Sequence, residues 1–325
     1  MKPILVVQGA TRIEEVPRLG ELQDQAEIRF ATSADELRAV LPGAEAMLGW
    51  NFRADSLREA WDSASDLRWI HWCGAGVDAA MFAELVQSDV ELTNARGIFD
   101  QPMAEWVLGM ILGFAKRFPQ TLEFQAKSEW NHRLCETVAG KKALVVGVGS
   151  IGRAVGRLLQ AAGLRVEGVG RSARGGGSDF NRIHAIDDLQ AQLPHADYVI
   201  LITPLTPATR NLFGAAEFAA MAPHARFLNI GRGALVVEAD LLAALQDGQI
   251  AGAALDVFVE EPLPADSPFW RAPNCLVSPH MSGDYFEFEA AMADQFMTNW
   301  ARYLAGEPFI NVVDKVLGFV PGAMR

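Results

Sequence analysis

The stretch from Lys142 to Arg153 constrains this chain more than any other. Four apolar residues, Ala143 to Val146, run into Gly147-x-Gly149-x-x-Gly152, and a helical pattern with Val155, Leu158 and Leu159 on one face follows at once. Strand, then glycines, then helix is the order in which this pattern carries meaning. Gly147 permits the tight turn, Gly149 lets a pyrophosphate approach the backbone, and Gly152 lets the helix pack close to the strand. The first amides of the helix, from Ser150 and Ile151, point at the phosphates, where the helix dipole favours negative charge. A bound dinucleotide is the expectation.

The rest of the chain alternates strand and helix patterns, which predicts an α/β protein with doubly wound parallel sheets. Beyond the glycines, strands are expected at 143–147, 164–169, 198–202, 226–230, 251–256 and 275–278. Before them, short strands at 3–7, 26–30, 46–50, 67–72 and 90–94 suggest a smaller parallel unit. Ser33, with Glu36 three residues later, has the spacing of a helix start. Residues 98–118 read as one long apolar helix, with Pro102 near its start and Pro119 beyond its end. A polar linker, 120–136, leads to the glycines. A last long helix covers 284–305, and a short tail runs from 307 to 325.

Charge narrows the partners. The 325 residues carry 40 acidic against 28 basic side chains, a net charge of −12. That argues against nucleic acid or an anionic membrane surface as the main partner. No apolar run approaches the roughly 18 residues of a membrane span, and the N-terminus reads as a first strand rather than a signal peptide. Cys73, Cys135 and Cys275 are too few and too scattered for a disulfide framework or a metal cluster, so no metal is expected and a reducing cytoplasm is the simplest compartment.

Sites for NAD usually place Asp or Glu at the end of the second strand, on the ribose hydroxyls. Here that strand ends at Gly170, and Arg171, Ser172 and Arg174 come next. Glu167 is the nearest acid, but it sits mid-strand. No carboxylate is placed to repel a 2′-phosphate, and two guanidiniums and a hydroxyl are placed to bind one. NADP(H) is therefore expected over NAD(H); the alternative is that the two arginines belong to an ordinary solvated loop.

Three later stretches fall where strands should end: Asn229-Ile230-Gly231-Arg232-Gly233, Asp256-Val-Phe-Val-Glu-Glu261-Pro262, and Ser278-Pro279-His280-Met-Ser282-Gly283. Ligands of open α/β sheets bind beyond the carboxyl ends of the strands. One Arg, one Glu and one His are thus delivered to the same edge as the glycine loop. Glu261 stands beside Glu260, and an acid pair is most often a solvated turn. His280 has five rivals, His71, His132, His184, His195 and His224, of which only His71 also lies near a loop of interest.

These motifs together, with Gly74-Ala75-Gly76-Val-Asp78 and the Thr203-Pro204-Leu-Thr-Pro-Ala-Thr209 run, resemble the D-isomer-specific 2-hydroxyacid dehydrogenases, glyoxylate/hydroxypyruvate reductases among them. The resemblance covers nearly the whole chain. It implies two Rossmann/flavodoxin-like domains with a cleft between them. One would be a substrate domain, 1–98 completed by 285–325. The other would be an NADP-binding domain, 99–284. It also implies a homodimer, with the helix near 100–118 contributing.

By the same resemblance, Arg232 would bind and polarise a 2-keto acid, a fixed cation suiting the charge that develops on oxygen. His280 would be the acid and base, which suits imidazole near neutral pH. Glu261, directly before Pro262 as in the family motif, would orient His280. The amides of Ala75 and Gly76, in the loop opened by Gly74, would hold the substrate carboxylate. Trp50 is read equally as a wall of that pocket or as core. Thr203, Pro204, Thr209, Ile230, Gly231, Asp256 and Ser282 would line the cofactor. Asp78 is read as structural, and Cys73, beside the loop opened by Gly74, equally as a small buried residue or as a reactive one.

Some features depart from the family pattern. Met281-Ser282-Gly283-Asp284 replaces the commoner small apolar and glycine residues after the histidine. The last helix is rich in aromatics (Tyr285, Phe286, Phe288, Trp300, Tyr303). The alternatives are a corepressor-like protein that senses nucleotides, an NAD-linked relative, and a formate or phosphite dehydrogenase. The last is disfavoured for formate by an acid, not Gln, at position 261.

Overall fold

The computed structural model describes residues 2–321, so Met1 and the last part of the expected tail, 322–325, lie outside the described residues. The chain divides into two compact units, one of residues 1–99 with 285–325 and one of residues 100–284. Each is taken by itself.

The first unit is built on a parallel sheet of β1 (Ile4–Gln8), β2 (Glu27–Ala31), β3 (Ala46–Gly49), β4 (Trp69–Trp72) and β5 (Glu91–Asn94), in the order β2-β1-β3-β4-β5. β3 and β4 are buried along their whole length, as strands covered on both faces must be. The helix Ala34–Val40 starts on Ser33, whose hydroxyl accepts the Glu36 amide at 3.3 Å. The Glu36 carboxylate reaches the amide of Thr32 rather than that of Ser33. One sheet face packs its aromatics on the helix Phe288–Ala305, with Trp69 stacked on Phe296 at 5.5 Å. That helix starts four residues later than its expected 284 and stops at Gly306, which takes the left-handed conformation at φ 65.

His71 lies inside this face. It is fully buried, its Nδ1 is 2.9 Å from the Thr93 hydroxyl, and burial pushes its pKa down to about 3. Trp69 donates its indole N–H to the same hydroxyl. Of the rival histidines, this one is a neutral core residue. The tail is clasped to the same unit, with Lys315 Nζ donating to the carbonyls of Leu85, Ser88 and Val90.

The second unit holds the larger sheet: β6 (Lys142–Val146), β7 (Arg165–Gly170), β8 (Arg174–Gly175), β9 (Arg182–Ala185), β10 (Tyr198–Leu201), β11 (Arg226–Asn229), β12 (Gly252–Leu255) and β13 (Cys275–Val277). Their order is β13-β12-β11-β10-β6-β7-β9-β8, all parallel but for the β8–β9 pair. From β6 the sheet is laid down first to one side and then, from β10, to the other. The order therefore reverses at β6, beside the glycine loop, where such sheets bind ligands. Phe213, Phe218 and Phe227 meet in the core with ring centres 5.0 to 5.9 Å apart. Truncating one such ring to Ala costs about 3–5 kcal/mol.

Two features differ from the expected elements. β8 and β9 add an antiparallel hairpin to the sheet edge, with Gly176 to Asn181 between its strands. Asp179 anchors it, accepting from Arg153 at 2.8 Å and from Arg157 at 3.1 Å on the helix Ser150–Ala161. The long helix also breaks in two. It runs Asp100–Ala115, turns at Arg117 (φ 53), and restarts as Phe118–Ala126 with Pro119 in its first turn. Proline lacks the amide that a first turn leaves unbonded, so Pro119 opens a helix where it was expected to close one. The linker is tied down at Glu136, whose carboxylate pairs with Arg226 at 2.6 Å and lies below the usual carboxylate range because of it.

Candidate active site

In the second unit, the turn after β6 has little room for side chains. Gly147 sits at φ +114, and a β-carbon there would come 2.7 Å from the Ile202 carbonyl. One on Gly152 would lie 1.9 Å from the Gly147 oxygen. Both glycines are therefore dictated by close backbone packing. At Gly149 a β-carbon would meet nothing within 4 Å. The helix Ser150–Ala161 begins there, and Gly149 offers its amides no side-chain cap. An uncapped N-terminus above an open glycine fits a pyrophosphate. The Ser150 hydroxyl does not face that opening; it donates to the Asp100 carboxylate.

Val148, between the first two glycines, lies across β7. Its methyls would stand 2.5 Å from a β-carbon on Gly168 and 2.7 Å from one on Gly170. Packing alone thus removes any side chain from the strand end. Beyond it, Arg171, Ser172 and Arg174 are all exposed. Arg174 opens β8, and its guanidinium folds back 3.0 Å to the Ser172 carbonyl. The turn from β7 into β8 therefore carries two guanidiniums and a hydroxyl just past a strand end that has no acid.

After β10, the hydroxyl of Thr203 is buried without a protein hydrogen-bond partner. Such an orphan is what a missing ligand group would explain. Thr209 is different. Its hydroxyl accepts the Thr206 amide at 2.8 Å and donates to the Pro204 carbonyl at 2.7 Å, so it staples the turn. After β11, Ile230 and Gly231 are buried. A β-carbon on Gly231 would lie 3.2 Å from the Thr203 carbonyl, so the two loops are in contact. Asn229, which the motifs alone do not single out, is 1% exposed and holds both sides of the next turn. Its oxygen accepts the Gly231 amide and its nitrogen donates to the Arg232 carbonyl. Arg232 is half-buried, with one guanidinium N–H on the Gly231 carbonyl at 2.8 Å.

The histidine and glutamate meet. Glu261, joined to Pro262 by a cis peptide, lies with one oxygen 2.6 Å from His280 Nδ1, while the other accepts the Phe258 amide at 2.9 Å. Both side chains keep some exposure, 27% and 21%, enough to be reached from outside. Glu261 thus engages the ring at Nδ1 and fixes its orientation. The backbone at His280 is left-handed, φ 54, a conformation few residues other than glycine adopt. Asp256 maintains it. Its carbonyl accepts the His280 amide at 2.8 Å. Its carboxylate takes the Ser278 hydroxyl at 2.5 Å and the amides of Met281 and Ser282 at 2.9 Å each. Asp256 is 1% exposed. The Asp256 carboxylate thus holds the turn that carries the histidine, partly through the Ser282 amide.

In the first unit, Trp50 follows β3, half-buried, with its amide on the Gln8 carbonyl. Gly74 is packed under Phe52, whose ring atoms would lie 2.9 Å from a β-carbon. Asn94 donates its side-chain amide to the Ala75 carbonyl at 2.6 Å. This fixes the loop so that Ala75 and Gly76 stay half-exposed. Cys73 is fully buried, which pushes its thiol well above the usual range and away from nucleophilic use. Among the described residues there is no group of acids, histidines or cysteines that could hold a metal ion.

A doubly wound sheet with a dinucleotide loop at its switch point, and a His–Glu pair at a strand end of the same unit, defines the class: an oxidoreductase that works with a nicotinamide dinucleotide. Comparison with known proteins names the family. Residues 108–282 match the NAD binding domain of the D-isomer specific 2-hydroxyacid dehydrogenases. A glyoxylate/hydroxypyruvate reductase B of Citrobacter koseri is 32% identical over 97% of this chain and 98% of its own. The chain belongs to the D-isomer specific 2-hydroxyacid dehydrogenase family.

Among solved structures, an NADPH-dependent glyoxylate/hydroxypyruvate reductase of Sinorhizobium meliloti, in complex with NADP and sulfate, superposes with a TM-score of 0.84 at 30% identity, covering 98% of this chain and 100% of that one. A D-isomer specific 2-hydroxyacid dehydrogenase of Xanthobacter autotrophicus, in complex with NADPH and MES, gives 0.82 at 30%, with 98% and 100% covered. The D-3-phosphoglycerate dehydrogenase of Methanocaldococcus jannaschii is 30% identical over 79% of this chain, a match that spans only 49% of that protein's length.

Proposed function

We propose that this protein is an NADPH-dependent reductase of small 2-keto acids, of the glyoxylate or hydroxypyruvate class, yielding D-2-hydroxy acids where the product is chiral. The observation that carries the reading is the Glu261–His280 pair, a carboxylate 2.6 Å from a ring nitrogen at a strand end of the unit that holds the glycine loop. The dinucleotide supplies a hydride to C2 of the keto acid, or takes one back. His280 gives its Nε2 proton to the carbonyl oxygen and recovers one in the reverse direction. Glu261 fixes the ring and stabilises its protonated form. Arg232 supplies a fixed positive charge for the keto oxygen and the carboxylate.

The amides of Ala75 and Gly76 are the proposed hold on the substrate carboxylate, and Trp50 is a proposed wall of the pocket. The second unit would then bind the cofactor and the first the substrate. Gly147, Gly149, Ser150, Ile151 and Gly152 form the proposed phosphate loop, with Thr203, Pro204, Ile230 and Gly231 along the rest of the dinucleotide. Arg171, Ser172 and Arg174 are the proposed 2′-phosphate cradle. NADP(H) is supported by that loop and by the relatives solved with NADP or NADPH.

A homodimer is proposed on the apolar surface of the second unit. Phe118, Leu122, Trp130 and Leu134 are 53 to 100% exposed there, more than a solvated face usually leaves open. A cytoplasmic location is proposed on the three unpaired cysteines. No helix among the described residues is long and apolar enough to cross a membrane.

The test is a panel of glyoxylate, hydroxypyruvate, pyruvate and ketopantoate, each with NADPH and with NADH, followed by absorbance. Oxidation of NADPH by at least one of them, with a lower KM for NADPH than for NADH, is the expected result. No turnover with any pair would favour a protein that senses the nucleotide without catalysis. A preference for NADH would move it to the NAD-linked relatives.

A further inference from the structure

We infer that Glu238, which none of the motifs includes, is a positioning residue that sets the place of Glu261. The inference rests on the acid–base role proposed for His280. Residues 257–262 form no helix or strand, and from Val259 to Pro262 they are exposed. Val259 itself is 61% exposed, so apolar burial does not hold this part of the loop. Yet Glu261 must keep its carboxylate within hydrogen-bond reach of one ring nitrogen. Contacts ahead of the exposed residues have to hold the peptide in front of it.

Three contacts do so. The Phe258 side chain is buried against Phe269, with ring centres 5.7 Å apart. The Phe258 amide donates to Glu261 itself at 2.9 Å. The next amide, Val259, donates to the Glu238 carboxylate at 2.8 Å. The peptide between them lies directly on Gly233, where a β-carbon would come 1.9 Å from the Phe258 carbonyl carbon and 2.3 Å from the Val259 nitrogen. Gly233 follows Arg232. The peptide ahead of Glu261 is thus pressed on one residue of the Arg232 turn and gripped by another acid five residues further on.

Glu238 opens the helix Glu238–Gln246, whose preceding residue, Val237, supplies no side-chain cap. A glutamate in that place would ordinarily serve its own helix end. Here the carboxylate is used on the loop instead. A charge-assisted bond to an amide is about twice as strong as a neutral one, which suits a contact that is not shielded by burial. Reach matters as much as charge. Aspartate is one methylene shorter and falls short of the Val259 amide, whereas the glutamine oxygen can still accept from it.

The experiment compares Glu238→Ala, Glu238→Asp and Glu238→Gln with the unaltered full chain, after circular dichroism has confirmed folding. Two quantities are read. One is the 15N shift of His280 Nδ1 in protein without ligand, assigned by its loss in His280→Gln. The other is kcat against the KM for NADPH with glyoxylate. Expected is a changed Nδ1 shift in the Ala and Asp variants, with kcat down about 10-fold, as displacement of a catalytic group predicts, and KM for NADPH within twofold. The Gln variant, which keeps the reach but not the charge, should stay within about threefold of the unaltered protein in kcat and keep its Nδ1 shift.

Unchanged Nδ1 shift and kcat in both Ala and Asp would overturn the inference. So would a Gln variant as impaired as Ala. Should Ala fail to fold, the Asp and Gln pair decides. A chain inert toward every keto acid whose Nδ1 shift still obeys this pattern would sink the reductase reading while leaving the placement of Glu261 by Glu238 intact.

Discussion

A methyl group of Val148 stands 2.7 Å from the point where Gly170 would carry a β-carbon. The middle residue of the glycine loop therefore dictates the last residue of the neighbouring strand. In dinucleotide sheets that strand end is where an acid selects NAD. The absence of an acid here is a packing consequence first. Any preference for NADP then has to come from Arg171, Ser172 and Arg174, just past the strand end.

This makes a two-part prediction. Gly170→Asp alone, the obvious change towards NADH, should lower Tm by several degrees, since overpacking costs about 1–3 kcal/mol. Combined with Val148→Ala it should regain most of that loss, and only the double variant should gain activity with NADH. Thermal melts of the two variants, followed by cofactor kinetics, check both halves. A single variant as stable as the parent would remove the packing argument.

The hairpin arginines should act on one cofactor only. Arg171→Ala and Arg174→Ala are each expected to raise the KM for NADPH about 10- to 100-fold, the effect of losing a hydrogen bond between charged partners. The KM for NADH should stay within twofold. Equal effects on both cofactors would show that the arginines serve the loop and not a 2′-phosphate.

Substitutions at His280 and at Arg232 should separate chemistry from binding. His280→Ala should lower kcat by about 10² to 10⁴, the usual worth of a positioned acid and base, while the Kd for NADPH, read by fluorescence, stays within twofold. Arg232→Ala should raise the KM for the keto acid and lower kcat together. Near-normal turnover in the His280 variant would return the acid–base role to another group.

His71 predicts a pH dependence in the first unit. Burial holds it neutral when folded, with its pKa pushed down to about 3, whereas the unfolded chain takes up the proton near 6.5. The unfolded state thus binds more protons between these values. Stability is full above about pH 6.5 and falls as pH drops towards 3, by about 2 kcal/mol at pH 5. Urea unfolding at pH 7 and pH 5, with His71→Phe as the comparison, tests this. The variant should lose much of the difference; an unaltered pH dependence would show that other groups cause it.

Much of this molecule could be read locally. The glycine loop was legible because a tight turn, an exposed backbone and a close helix each demand glycine at a fixed spacing. Strands β6, β7 and β10 to β13 were legible as apolar runs. β9 was not, since Arg182-Ile-His-Ala is four residues with only one strongly apolar member. Pro119 was misread because the same residue suits the last position before a break and the first turn of a new helix. Whether the helix ahead of it stops two or three residues early is a matter of packing.

The sequence by itself determined the fold class, the glycine loop, the family, and the Arg, Glu and His that stand after the strands, because each rests on residue types at short, fixed spacing. Tertiary structure alone decided how those groups are held. Asp256 grips amides 25 and 26 residues away, and Glu238 grips one 21 residues away. A carboxylate reads the same in sequence whether it faces a ligand, solvent or a distant amide. Only the folded chain brings that amide within 3 Å, and that contact decides what the carboxylate does.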